Sequence, residues 1–401
     1  MKLVLEYALS MNSATKVLDL MFESKRKPSI NTGKMWLLKV GYYKLMEKKE
    51  EANDWIWIID HSIQLGKEKC LIILAVREQA LPRTRALKYE DVEIIELEPV
   101  EKSTGEIVYE QLEKVKEKTG TPRAIVSDMG SDIKCGIRKF QEINQEISHV
   151  YDLKHKIAIL VRDILETDEQ WSEFRKFSNQ LIRKLQNTKF AGYRPPRQRE
   201  KARYMNIEPL IGWGKSMLIK KELLDGIEKK SDEEVKLQTN LEELSRFKED
   251  IKIWDEMVEF ISIIERFMNI HYLQKNSYEK FFELHSDKFN SLKTENAKLL
   301  ATQILNFIKE QQKVCKEDER LLHSSEILES LFGKFKFLEK EQSKSSFTNL
   351  ILSVGAMVSK NTQSTILRAL ESVTTPMIKA WSESKIGISI QAQKKELYSH
   401  V

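Results

Sequence analysis

The stretch Ala124-Ile-Val-Ser-Asp128-Met-Gly-Ser-Asp132 decides the fold. An apolar, β-branched run stops at an acidic residue and a Gly-Ser turn, which is the pattern of a strand delivering Asp128 to a sheet edge. Upstream, Trp55-Ile-Trp-Ile-Ile-Asp60 repeats the pattern, and His61-Ser62 follow it. Two strands therefore present two carboxylates. Carboxylates gathered without Lys or Arg beside them repel one another, and a divalent cation held by oxygen ligands relieves the repulsion. That chemistry points to metal-dependent phosphoryl transfer. A single Asp at a strand end is explained equally well by its preference for turns; two of them, with a third acid further on, shift the balance toward a site.

Working outward, three strand patterns come before the stretch: 55–64, Cys70 to Val76 and Val92 to Leu97, each bounded by turn or charged residues, as in an antiparallel meander. A helix over about 104–118 leads into the Asp128 strand. A helix over about 132–144 follows, then Ile147-Ser-His-Val-Tyr-Asp152. This order lacks the regular βα alternation of a dinucleotide-binding fold, and no Gly-rich phosphate loop is present. Residues 1–50 read as helices. The polar link Ser24 to Thr32 ends in capping residues ahead of Gly33-Lys34-Met-Trp36-Leu-Leu-Lys39-Val-Gly41, with Gly41 as the stop. Helix, turn, capped helix is the helix-turn-helix plan, in which Lys34, Trp36 and Lys39 would meet DNA, and it is also the plan of any small helical bundle.

With 401 residues the chain has room for two or three cores. The 32% charged residues, with 14 Gly and 8 Pro, favour an ordered, helix-rich protein. Cys70, Cys135 and Cys315 are odd in number and far apart, which argues against a disulfide framework or a cysteine zinc site and for a reducing cytoplasm. No membrane-length apolar run and no secretion signal is evident, so a soluble intracellular protein is expected. Residues 160–315 form long charged helices, interrupted near Gly192-Tyr-Arg-Pro-Pro196 and around Gly212-Trp213-Gly214. From Trp171 to Asp225 there are 13 Lys and Arg against 5 Asp and Glu, and from Gly226 to Phe260 there are 6 against 11. The basic block carries Arg194, Arg197, Arg199, Lys201 and Arg203 with interleaved aromatics. It suits a polyanion with stackable bases, Trp213 being the candidate to stack, although a solvated helical face or a core Trp accounts for the same residues. Further on, Ser324-Ser325-Glu326-Ile-Leu-Glu329-Ser-Leu-Phe332-Gly-Lys-Phe-Lys336 reads as a helix with acids in its first turns and one apolar face, Leu328, Leu331, Phe332 and Phe335.

On Asp60, Asp128 within SDMGSD, and Tyr151-Asp152-Leu-Lys-His155, the chain resembles insertion-sequence transposases of the Asp-Asp-Glu type. The resemblance implies a ribonuclease-H-like, mixed five-stranded α/β sheet flanked by helices and interrupted by a large all-helical insertion. It divides the chain into 1–50 (helical DNA-binding region), 51–165 (core, first part), 166–315 (insertion), 316–365 (core, last helices) and 366–401 (tail). Asp152 and His155 match the (Cys or Asp)-x-x-His element of several such families; helix capping also explains Asp152. The last acid is expected on a helix after the insertion. Glu329 fits, with Lys336 seven residues on, and Glu326 is the substitute. Some relatives carry Tyr and Arg seven and four residues before that Glu; here Leu322 and Ser325 stand there, which leaves the Arg role unassigned. The resemblance further implies two Mg²⁺ ions, or Mn²⁺, held by Asp60, Asp128 and Glu329, in-line cleavage and strand transfer of double-stranded DNA, a homodimer or larger assembly on DNA, and a cytoplasmic, nucleoid-associated protein without membrane contact. His61 and His155 are read as outer contacts at most. A transposase-derived binding protein that no longer cuts, and a nuclease with the same core, are the competing readings.

Overall fold

The computed structural model describes residues 1–7, 9–22, 28–65, 68–198, 204, 206–340 and 349–387. They fold into an α/β protein with a five-stranded mixed sheet and flanking helices, and they divide into two compact units. One unit comprises Met1–Asp152 with Glu319–Val401, and the other Leu153–Asp318.

The first unit opens with helices α1 (Lys2–Leu5), α2 (Met11–Phe22) and α3 (Ile30–Met46). Ser29 caps α3 through its hydroxyl, which accepts from the Thr32 amide at 3.1 Å. The helix then runs through Gly41 instead of stopping there. Gly41 serves a close approach: a Cβ at this position would stand 1.7 Å from the Leu352 carbonyl oxygen, and one at Gly355 would stand 2.7 Å from the Gly41 oxygen. Helix α14 (Ser353–Met357) thus lies backbone to backbone on α3, and tertiary packing overrides the local stop signal.

The sheet follows: β1 (Trp55–Leu65), β2 (Glu68–Arg77), β3 (Glu93–Val100), α4 (Gly105–Thr119), β4 (Ala124–Ser127), α5 (Ser131–Ile143) and β5 (Ser148–Tyr151). Spatial order is β3-β2-β1-β4-β5. β1, β2 and β3 pair antiparallel, as expected from three consecutive strand patterns, whereas β4 joins β1 and β5 joins β4 in parallel. A parallel neighbour needs a crossover, and α4 and α5 supply it. Strand period places Trp55, Trp57 and Ile59 on one face, where they pack with Val108, Leu112 and Val115 of α4 and Ile133, Ile137 and Phe140 of α5. Asp60 points to the other face. There, α13 (Glu326–Glu339) packs on β1 through its buried Leu328, Leu331, Phe332, Phe335 and Leu338. Helices α15 (Gln363–Ser372) and α16 (Thr375–Lys385) close the unit against α3.

The second unit is all-helical: α6 (Leu153–Leu165), α7 (Glu169–Leu185), α8 (Glu208–Asp225), α9 (Asp232–Leu241), α10 (Lys248–His271), α11 (Ser277–Asn290) and α12 (Glu295–Gln311). Its core is aromatic, with Trp171 edge-on to Trp254 at 4.9 Å and Phe174 against Phe247 and Trp254. The Gly212-Trp213-Gly214 stretch, expected as a turn, lies inside α8. Gly214 is buried where a Cβ would come within 3.1 Å of Phe174 and 3.0 Å of Ile251, so this glycine admits neighbouring helices and does not break its own. Among the described residues no helix is long and apolar enough to cross a membrane.

Candidate active site

In the β1 to β4 ladder, Ile59 pairs with Ser127, the last residue of β4. Asp60 and Asp128 are the next residues on the two neighbouring strands. β4 ends there because Gly130 turns the chain, its amide donating to Asp128 Oδ1 at 2.9 Å, and α5 begins at Ser131. β1 continues to Leu65 as a ribbon with β2, so Asp60 sits within its strand, one residue past the last rung shared with β4.

The Asp60 carboxyl is pushed up to about 7, first by burial and then by the negative charges of Asp128, Glu329 and Asp152. Acids separated by up to 269 positions in the chain therefore act on one carboxyl. Glu329 takes part; Glu326, one turn earlier on α13, acts instead on His323, whose imidazole burial holds down at about 4. Both glutamates are exposed, as is Lys336.

Asp152 does something the sequence did not disclose. It is 4% exposed and accepts from the Ser325 amide at 2.7 Å and the Ser325 hydroxyl at 2.6 Å, with the Ser324 hydroxyl at 3.3 Å. It thereby fastens the start of α13, an acid at a helix N-terminus supplied by the residue that follows β5 and not by the helix's own chain segment. His155 falls in the helical unit, in the first turn of α6. A second clasp was equally hidden: Arg123, just before β4, donates to Glu319 Oε2 at 2.7 Å and to Ser148 Oγ at 2.7 Å, and both charged groups are largely buried. It ties the returning chain to the parallel edge of the sheet. Neither partner set is adjacent in sequence, and no periodicity announces it.

On the opposite sheet face, His61 Nε2 lies 3.0 Å from Ser103 Oγ, and Nδ1 lies 3.5 Å from Asp132 Oδ2. Burial lowers its basicity, Asp132 opposing. The imidazole is thus engaged away from Asp60.

Of the residues expected to meet DNA, Lys34 and Trp36 are half-buried on α3, and Lys39 Nζ lies 3.3 Å from the Leu370 carbonyl oxygen of α15. Trp213 is half-buried and donates from Nε1 to the Tyr193 carbonyl at 2.9 Å. Arg194 and Arg197 are exposed. Arg199, Lys201 and Arg203 lie outside the described residues. Part of the basic block is answered internally by the acidic segment after it: Lys215 pairs with Asp255 and Glu259, Lys189 with Glu233, and Lys221 with Glu242.

The donor chemistry around Asp60 suits a hard divalent cation, because the converging groups are carboxylates and the neighbouring imidazole is occupied. Among the described residues, however, no three His, Cys, Asp or Glu already stand at metal-holding distance. No protein-family model matches the chain, and no curated protein matches it significantly.

Proposed function

We propose that the chain is a metal-dependent DNA transposase with a ribonuclease-H-like core. The observation that carries the reading is the register of β1 with β4, which sets Asp60 and Asp128 one position past the same rung; burial first, and then the charges of Asp128 and Glu329, push the Asp60 carboxyl up. Strand order adds support: two antiparallel pairings followed by two parallel ones set Asp60 and Asp128 side by side, and α13 brings Glu329 to the same face. A buried carboxyl on which two further acids act favours a nearby cation over unrelieved repulsion.

Asp60, Asp128 and Glu329 would hold Mg²⁺ or Mn²⁺. When bound, the ions would activate water and stabilise the leaving oxygen of an in-line attack on a DNA phosphate. The chain's own contributions are positional. β1 and β4 fix the two aspartates in register, Asp152 fastens the helix that presents Glu329, and the exposed Arg194 and Arg197 offer charge to the DNA backbone. An assembly of two or more subunits follows from the task of holding two element ends at once.

A second reading, a DNA-binding descendant that no longer cuts, is favoured by the lack of three ligands at metal-holding distance among the described residues. A strand-transfer assay with paired element ends and Mg²⁺ separates the readings. Joined products support the transposase, strand scission without joining a nuclease, and retention of DNA without scission the silent protein.

A further inference from the structure

The first unit carries a half-open pocket of about 210 Å³. Val4 and Leu5 of α1, Phe337 and Leu338 of α13 and Met357 of α14 make its wall apolar, and Gly333 leaves it open, since a Cβ there would meet nothing within 4 Å. Among the described residues Lys334 is the one charged residue in the lining. Its ammonium lies 4.0 Å from the centroid of the Tyr89 ring, and the Tyr89 hydroxyl is bound to Ser330 one turn earlier on α13. The ring thus fixes the ammonium of this lining residue by a cation–π contact. Among the described residues Lys334 makes no ion pair, unlike the many surface lysines of this chain that face carboxylates. Burial lowers its basicity with no carboxylate opposing the effect.

An apolar hollow with a single positioned cation is complementary to one class of small molecule. At roughly 30 Å³ for each water-sized unit, the space holds on the order of seven heavy atoms. We infer that this cavity binds a small amphipathic monocarboxylate, its apolar body against Val4, Leu5, Phe337 and Met357 and its carboxylate on the Lys334 ammonium. A longer chain or a bulky ring system exceeds the volume, and a neutral alkane or alcohol of the same body leaves the ammonium unanswered. The inference stands apart from the metal-site reading, since it uses none of Asp60, Asp128 or Glu329.

Hexanoate and 1-hexanol are the probes, titrated into the full-length protein while the methyl resonances of Val4, Leu5 and Met357 are followed by NMR. Hexanoate should shift these methyls saturably, and 1-hexanol should bind about tenfold more weakly, the factor expected from a charge contact worth about 1.4 kcal/mol. Lys334→Met should abolish the difference between the two probes while keeping weak binding of both. Gly333→Leu, which extends a side chain into the hollow, should block both without lowering the melting temperature. Shifts that grow linearly without saturation, equal affinity for acid and alcohol, or an unchanged hexanoate preference in Lys334→Met would each overturn the assignment. If Gly333→Leu fails to fold, the Lys334→Met comparison still decides.

Discussion

Asp60 keeps its proton up to about pH 7, whereas in the unfolded chain it releases it near the ordinary 3.8. Below both values the two states carry the same proton and the group is neutral in the balance. Between them the folded state alone holds the proton, so stability falls as pH rises, and above about 7 the full cost of a buried carboxylate beside Asp128 and Glu329 is present. The shift bounds that cost at about 4 kcal/mol. Asp60→Asn should therefore raise stability in urea melts at pH 8 and leave it nearly unchanged at pH 4; no gain at pH 8 would mean that the carboxyl is not crowded. In cleavage assays, Asp60→Asn, Asp128→Asn and Glu329→Gln should each lose activity while DNA binding persists, because shape is kept and ligand charge is lost. Glu326→Gln should remain active. The reverse result for the two glutamates would shift the site one turn toward the start of α13. The strand before Asp128 was legible because a β-branched run that stops at an acid marks a strand end, whereas the same reading put Asp60 at the end of a strand that in fact continues to Leu65. Glu329 could be told from Glu326 there only by resemblance, since both are exposed acids on one helix and only packing decides which one faces Asp60.

At the scale of elements, α13 is placed by its apolar face on β1 and by Asp152 at its start. Asp152→Ala would leave the Ser325 amide buried without its acceptor, at a cost on the order of 3 kcal/mol, since bonds to a charged group are the stronger ones. Chemical denaturation should register that loss, and Asp152→Asn, which keeps an acceptor oxygen, should recover part of it. A full-sized loss in Asp152→Asn would indicate that the charge at the helix start matters more than the hydrogen bonds. Strand and helix identities followed from period 2 and period 3.6 in the sequence. Gly41 and Gly214 were misleading because glycine signals a helix end locally, while here each opens space for a neighbouring helix. Their partners, Leu352 with Gly355 and Phe174 with Ile251, are remote in the chain, and no local rule sees them. Gly41→Ala should accordingly push α3 from α14 and destabilise by about 1–3 kcal/mol or more, as overpacking does.

For the molecule as a whole, charge distribution along the chain overstated the basic surface, because Lys189, Lys215 and Lys221 are paired with acids within the helical unit. Arg194 and Arg197 are the described residues expected to bear on DNA there. Replacing both with Ala should weaken binding at every sequence and reduce the slope of log affinity against log salt by about 2, one counterion per phosphate contact. An unchanged slope would remove them from the interface. Non-local pairings such as Arg123 with Glu319, and Lys44 with the carbonyls of Val358 and Ser359, were illegible for the same reason as the glycine contacts: they join segments whose adjacency only the fold creates.

The central claim is that Asp60, Asp128 and Glu329 form one cation site, and Mn²⁺ binding followed by electron paramagnetic resonance at pH 8, where Asp60 is ionised, tests it most directly. Wild-type protein should take up Mn²⁺ saturably, Mg²⁺ should displace it, and affinity should fall as pH drops below about 7 and protons compete for Asp60. Asp60→Asn, Asp128→Asn and Glu329→Gln should each abolish uptake while Glu326→Gln retains it. Absence of saturable uptake by the wild type, or uptake that survives all three substitutions, would contradict the claim.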